Sequence, residues 1–142
     1  MRTQKASLYN KDFNAWLHDQ IHMIKTKDFK HLDIDNLLEE METLGNSNPH
    51  AIESHMIIIL MHMLKQKYQP DKSSKSWRDS IKNAQIQIEW ILKYNPSLKN
   101  HPSSILDKCY RSARREASKE TKIELRKFSE ECPWTIKEVL RG

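Results

Sequence analysis

Two histidines four positions apart, His18 and His22, are the residues of this chain that most resemble a catalytic motif. On a helix they would share one face, as the zinc-binding histidines of metalloproteases do, with a nearby acid to activate the zinc-bound water. Here that acid is Asp19, which is shorter than the glutamate of such proteases. The histidines also lie nearly opposite the apolar stripe of the same predicted helix, so we expect them to face solvent. We therefore predict no metal site, and no cofactor of another kind. The apolar stripe comprises Phe13, Trp16, Leu17, Ile21 and Ile24.

A second histidine of interest, His62, lies in an apolar segment, where we expect it to need an acidic partner. Glu40 is the best candidate, because it lies about 100° from the centre of its helix's apolar stripe and can turn inward. Such a pair would raise the pKa of His62 and hold two helices together. It would also suit acid–base catalysis, although no nucleophile or second acid is evident nearby. With Lys65 and Gln69, these two residues form the predicted polar cluster.

A stripe of five basic residues follows one face of a helix predicted near the C-terminus, within about 80° of arc. A narrow basic stripe suits a nucleic-acid backbone or an acidic protein. Glu116 and Glu120 dilute the charge, and an ordinary solvated helix face has the same appearance. The stripe consists of Lys108, Arg111, Arg115, Lys119 and Lys122.

Ile86, Trp90 and Tyr94 form an apolar strip on the side of their predicted helix that is opposite its buried face. A surface tryptophan beside an isoleucine is unusual for a monomer and suits a dimer interface or a partner's groove. The alternative is that the first helix or the C-terminal segment of the same chain covers the strip. The sequence leaves both open.

The length and composition of the chain exclude several classes of protein. A chain of 142 residues suits one domain, and only two glycines argue against glycine-rich phosphate loops and turn-rich β folds. No apolar run approaches the ~20 residues of a membrane span, and the first residues lack the apolar core of a signal peptide. Cys109 and Cys132 show no CxxC spacing. These features predict a cytoplasmic protein with reduced thiols that does not bind membranes.

Apolar periodicity and helix-capping residues predict an all-α fold, with no segment that alternates as a strand does. The predicted core face of the second helix is Ile34, Leu37, Leu38, Met41 and Leu44. We expect a compact single-domain helical bundle over residues 1–142, with a core over 8–140 and a flexible tail over 1–7. Its five main helices and one short C-terminal helix are predicted at about Lys11–Thr26, Ile34–Leu44, Pro49–Lys67, Ser76–Asn95, Ser103–Thr121 and Thr135–Leu140.

A series of spaced motifs resembles the bacterial domain-of-unknown-function 29 family from about Leu8 to Leu140. The resemblance implies an all-helical fold and no assigned activity. The resemblance implies that eight residues of this chain match the characteristic polar and aromatic positions of the family: Glu39, Glu40, His62, Lys65, Gln69, Pro70, Ser76 and Trp77. The chain departs from the family at Ile86 and Trp90, where the family is polar. The motifs are Tyr9, Asp12-Phe13, Trp16-Leu17, Leu32-Asp33, Leu37, Glu39-Glu40, His62 to Lys65, Tyr68-Gln69-Pro70, Ser76-Trp77, Ile81, Pro96-Ser97-Leu98 and Glu131-Cys132-Pro133-Trp134.

These observations predict a non-enzymatic helical module that binds a partner protein or a second copy of itself. The first reason is the lack of a complete catalytic set of residues. The second is the apolar strip at Ile86, Trp90 and Tyr94. The third is the uneven distribution of charge, with five acids and no lysine or arginine in residues 31–44. The alternative is a nucleic-acid-binding or toxin–antitoxin-like regulatory protein that uses the basic stripe. A weaker alternative is an enzyme with a Glu40/His62 centre.

Overall fold

The computed structural model describes residues 8–141, and all regular secondary structure in that part of the chain is helical. The all-α prediction is therefore confirmed. The tail predicted over residues 1–7 lies outside the described residues. Short 3₁₀ turns lie at Phe29–His31, Pro70–Lys72, Pro96–Leu98 and Leu125–Lys127. Residues 8–11 form a helical turn that precedes the main helices. These are α1 (Phe13–Lys25), α2 (Ile34–Tyr68), α3 (Lys75–Tyr94), α4 (His101–Thr121) and α5 (Ile136–Arg141).

Helix α2 is one helix of 35 residues and includes Pro49 in its interior. The prediction of two helices, one ending at Gly45 and the next starting at Pro49, is wrong. Glycine weakens a helix because it has no side chain to restrict the backbone, and proline weakens it because it cannot donate one backbone hydrogen bond. Neither residue necessarily ends a helix. Backbone contacts divide the chain into two compact units, residues 1–46 and residues 47–142, with the division inside α2.

The first unit is held together by Trp16 of α1 and by Asp33, which directly precedes α2. The indole Nε1 of Trp16 donates to Asp33 Oδ2 at 2.9 Å, and the backbone N–H of Asp33 donates to Gln20 Oε1 at 2.8 Å. All three residues are buried. Because buried polar groups need partners, these two hydrogen bonds fix the turn between α1 and α2.

The apolar face of α2 in the first unit is exposed, which corrects the prediction that it is a core face. Ile34, Leu38, Met41 and Leu44 are between 53% and 73% exposed, and only Leu37 is half-buried. On α1, Phe13, Ile21 and Ile24 are also exposed. The physical reason is that this unit is small and, within its described residues, buries few side chains apart from those around Trp16. Helical periodicity shows which side of a helix is apolar, but it does not show whether another element covers that side.

The second unit contains a larger core built from α2, α3, α4 and the C-terminal segment. Tyr110 and Tyr68 fasten the irregular segment after α4: Tyr110 Oη donates to the Ser129 carbonyl at 2.6 Å, and the Ser129 N–H donates to Tyr68 Oη at 3.1 Å. Gln85 Nε2 donates to the Val139 carbonyl at 2.9 Å and thereby fastens α5 to α3. The core residues are Ile52, Met56, Ile59, Leu60, Leu64, Ala84, Ile88, Cys109, Tyr110, Ala113, Ala117, Phe128 and Val139.

Replacing Gly45 by alanine should stabilise the protein, because Gly45 lies inside α2 and a Cβ atom there would meet nothing within 4 Å. Alanine exceeds glycine in helix propensity by about 0.5–1 kcal/mol. Urea unfolding followed by circular dichroism measures this change. The matched control is Ala51→Gly in the same helix, which should destabilise. A Gly45→Ala variant less stable than the wild type would indicate that the helix ends at this glycine.

Candidate functional site

Lys65 is a buried cation at which three helices of the second unit meet. The residue is only 8% exposed. Its Nζ lies 2.9 Å from Glu120 Oε1 on α4 and 4.7 Å from the centroid of the Trp77 ring on α3. A buried ammonium group is stable only with a carboxylate or an equivalent partner, and the face of an indole ring adds further attraction. The contacts of Lys65 therefore connect α2, α3 and α4.

His62 lies one helical turn before Lys65 and faces the same tryptophan, with 6.3 Å between the two ring centroids. Its Nδ1 is buried and has no hydrogen-bond partner among residues 8–141. Burial lowers the pKa of His62, the charge of Lys65 lowers it further, and Glu120 opposes this in part. His62 is therefore held towards its neutral form, whereas a pairing with Glu40 was predicted to raise its pKa.

The predicted Glu40–His62 pair between two helices is wrong, because both residues belong to the same helix, α2. Glu40 instead accepts a hydrogen bond from the hydroxyl of Tyr9 within the first unit. That hydrogen bond is the main reason why the pKa of Tyr9 rises to about 12. The proposed catalytic centre at Glu40 and His62 is therefore not formed.

Two of the four residues in the predicted polar cluster, His62 and Lys65, come together, joined by Trp77 and Glu120. Gln69 directly follows α2, where its backbone N–H donates to the Lys65 carbonyl at 2.8 Å. The sequence did not identify Glu120 as a partner of Lys65, because a single acid among the bases of a helix does not indicate which residue it contacts.

A pocket of about 700 Å³ opens in the second unit between α2, α3 and the C-terminal segment. Sequence reasoning did not identify it, because its residues come from three distant parts of the chain. Gln85, one of the lining residues, also holds the carbonyl of Val139. The others are Met63, Gln66, Arg78, Ile81, Lys82, Trp134, Glu138 and Arg141.

The apolar strip of α3 is exposed along its length. Trp90 is 52% and Tyr94 is 65% exposed, and Ile86 is less so. The rings of Trp90 and Tyr94 stack with centroids 5.5 Å apart, and Lys93 Nζ lies 5.4 Å from the first and 5.6 Å from the second. The two stacked rings and the adjacent cation form one exposed aromatic surface.

The basic stripe of α4 is partly neutralised. Lys108 Nζ lies 3.2 Å from Glu53 Oε1, and Lys119 Nζ lies 3.7 Å from Glu116 Oε1. Arg115 donates to Ser112 Oγ at 3.4 Å, and Arg111 is exposed. Lys122 follows the last residue of α4 in a left-handed conformation, with φ of 63°. Two of the five cations are therefore close to carboxylates, which reduces the net charge of the stripe.

The remaining reactive side chains offer little chemistry. His18 and His22 are both exposed, and residues 8–141 contain no group of three or more potential metal ligands. Burial raises the pKa of Cys109 to about 11. The pKa of Cys132 is also raised, chiefly by burial and less by Asp107 and Glu138, rather than by the adjacent acids. Because the thiolate is the nucleophile, neither thiol is activated.

The family described as "Domain of unknown function DUF29" matches the chain over residues 8–142. The match covers nearly the whole chain, so the chain belongs to this family. No curated protein and no solved structure matches it. Within the described residues, none of the helices has the length and apolar character needed to cross a membrane.

Replacing Glu120 by glutamine should cost about 1–2 kcal/mol of unfolding free energy, because the Lys65 ammonium would stay buried without a carboxylate. The half-exposed position of Glu120 keeps the cost below that of a fully buried pair. Urea unfolding at neutral pH measures it. Glu116→Gln on the same helix removes an exposed pair and should change stability by less than about 0.5 kcal/mol. Equal effects of the two variants would contradict the role assigned to Lys65.

Stability should fall as the pH drops below the ordinary histidine pKa of 6.5, because His62 has a lowered pKa in the folded chain. The unfolded chain then binds a proton that the folded chain does not, and this favours unfolding until the pH passes the folded pKa. As the pH falls from about 7.5 to about 5.5, the free energy of unfolding should therefore decrease less for His62→Gln than for the wild type. Urea titrations across this range test the difference, with the exposed His18→Gln as the control. Parallel pH profiles for His62→Gln and the wild type would refute it.

Proposed function

We propose that this member of the DUF29 family is a non-enzymatic module that binds a basic amphipathic helix of a partner protein. The observation that carries the proposal is the exposed apolar face of α2 in the first unit. Ile34, Leu38 and Met41, here called the α2 stripe, lie within about 60° of arc on the helix. Each is more than half exposed. A row of large aliphatic side chains in solvent is typical of a protein-binding surface.

The charge beside the α2 stripe favours a basic partner. Residues 31–44 contain five acids and no lysine or arginine. Glu42 lies about 40° from Leu38 around the helix, and Glu39 lies further round the same side. Both glutamates are exposed. An apolar row bordered by carboxylates matches a helix that carries aliphatic residues on one face and lysine or arginine beside them.

Exposed side chains of α1 would enlarge the surface. Phe13, Ile21 and Ile24 are each at least 40% exposed and belong to the same unit. A second copy of the chain is a less suitable occupant, because a symmetric pairing through the α2 stripe would bring the acidic borders of two copies together.

Protein binding is favoured over the two alternative functions. Two of the five cations in the basic stripe of α4 are close to carboxylates, which weakens its attraction for a phosphate backbone. The catalytic alternative loses its support because Glu40 and His62 do not pair. The α3 strip remains a second proposed surface for a protein partner or a homodimer. The free thiols, Cys109 and Cys132, favour a reducing compartment such as the cytoplasm.

The test uses two synthetic amphipathic helices of equal length, one of leucine and lysine and the other of leucine and glutamate. Fluorescence anisotropy of each labelled peptide measures its affinity for the full chain. We expect the leucine–lysine helix to bind and the leucine–glutamate helix to bind at least about tenfold more weakly. Leu38→Asp and Met41→Asp should each weaken binding of the leucine–lysine helix by about tenfold.

The matched control is Trp90→Ala on the α3 strip, which should leave this binding unchanged. Glu39→Gln combined with Glu42→Gln should weaken it and reduce its dependence on salt. Three results would overturn the proposal. They are equal affinity for the two peptides, insensitivity to Leu38→Asp, and a dimer in light scattering that Leu38→Asp dissolves. The last would identify a second copy as the occupant.

A further inference from the structure

We infer that the pocket between α2, α3 and the C-terminal segment binds a small amphipathic anion, that is, a carboxylate or phosphate attached to an aliphatic or aromatic group. The site is separate from the α2 stripe and belongs wholly to the second unit. Its volume of about 700 Å³ lies within the range of known small-molecule sites.

The apolar part of the ligand would contact three side chains from different elements. Met63 of α2, Ile81 of α3 and Trp134 of the C-terminal segment line the pocket. All three are partly buried and pack against the core of the second unit. Apolar side chains that are packed on one side and open on the other gain free energy when a ligand covers them. Trp134 provides a rigid flat surface of the kind that favours an aromatic ring or an acyl chain.

The charged part of the ligand would meet three cations at the rim. Arg78, Lys82 and Arg141 line the same pocket and are exposed. None of the three forms an ion pair with a residue in the described part of the chain. Arginine recognises carboxylate and phosphate through paired N–H groups, and a neighbouring lysine adds charge. The rim therefore presents three cations that can attract an anionic group.

Glu138 is the one acid among the lining residues, and it does not neutralise the three cations completely. Its carboxylate accepts hydrogen bonds from Thr135. Its Oε1 accepts hydrogen bonds from the Thr135 N–H at 3.0 Å and from the Thr135 hydroxyl at 3.1 Å. These bonds lower the pKa of Glu138, so it remains ionised. Glu138 thereby fixes the start of α5, and the lining residues retain an excess of two positive charges, from three cations and one anion.

The four tryptophans make the position of a ligand measurable in the full chain. Trp16 lies in the first unit, Trp77 beside Lys65, Trp90 on the α3 strip and Trp134 in the pocket. Each indole N–H gives one signal in a proton–nitrogen correlation spectrum, which is assigned from the corresponding Trp→Phe variant. The probes are octyl phosphate, inorganic phosphate and octanol, which separate the contributions of the anionic group and the apolar chain.

Octyl phosphate should shift the Trp134 signal saturably and leave those of Trp16 and Trp90 in place. Inorganic phosphate and octanol should each bind more weakly by about tenfold or more, since each makes only part of the contacts. Arg78→Ala combined with Lys82→Ala should weaken binding of octyl phosphate by about tenfold. Lys99→Ala, an exposed lysine outside the pocket, is the matched control and should have no effect.

The inference is overturned if octyl phosphate leaves Trp134 unshifted, or if octanol binds as tightly as octyl phosphate. It is also overturned if the Arg78 and Lys82 variant binds like the wild type. Tight binding of a glutamate-rich peptide in place of octyl phosphate, with the same Trp134 shift, would assign the pocket to an acidic protein segment instead. The first three results are independent of the leucine–lysine peptide experiment, because the two sites share no residue. A leucine–glutamate peptide that shifts Trp134 is assigned to the pocket and does not count against the α2 stripe.

Discussion

The burial of the Lys65 ammonium group is the constraint on which the second unit depends. An ammonium removed from water needs a carboxylate, and the only one it contacts among the described residues is Glu120 of α4. The Lys65 side chain is buried, and its charge lies over Trp77 of α3. One side chain thus connects the three helices, in addition to the apolar core that they share. The pocket is bounded by α2, α3 and the C-terminal segment, and α2 and α3 are two of the helices that Lys65 connects.

Helical periodicity predicted where the helices lie and which side of each is apolar, because both depend on residues close in sequence. It predicted the wrong boundary between Gly45 and Pro49, where weak helix formers indicate a break and the backbone continues as a helix. It also assigned Ile34, Leu38 and Met41 to a core. Whether an apolar face is covered depends on the number of helices in its unit, and sequence spacing carries no information on that number.

The candidate sites were harder to predict than the fold, for a related reason. His62 and Lys65 were identified from their unusual position in an apolar segment, but their partners Trp77 and Glu120 lie on other helices. A polar residue in an apolar segment indicates that a partner exists without identifying it. Likewise, the cations of the pocket belong to no motif, because Arg78 and Arg141 are far apart in sequence and come together only through the packing of α5 on α3.

The distribution of charge connects the two proposals. The chain has a net charge of +5, yet residues 31–44 contain five acids and no lysine or arginine. The first unit therefore presents an apolar row beside carboxylates, whereas the pocket of the second unit presents an apolar floor beside cations. In both places apolar contact would supply most of the binding free energy and charge would select the partner. Because the two charges are opposite in sign, ligands suited to one surface are repelled by the other. The two proposals thereby assign a basic helix to the first unit and an organic anion to the pocket of the second unit.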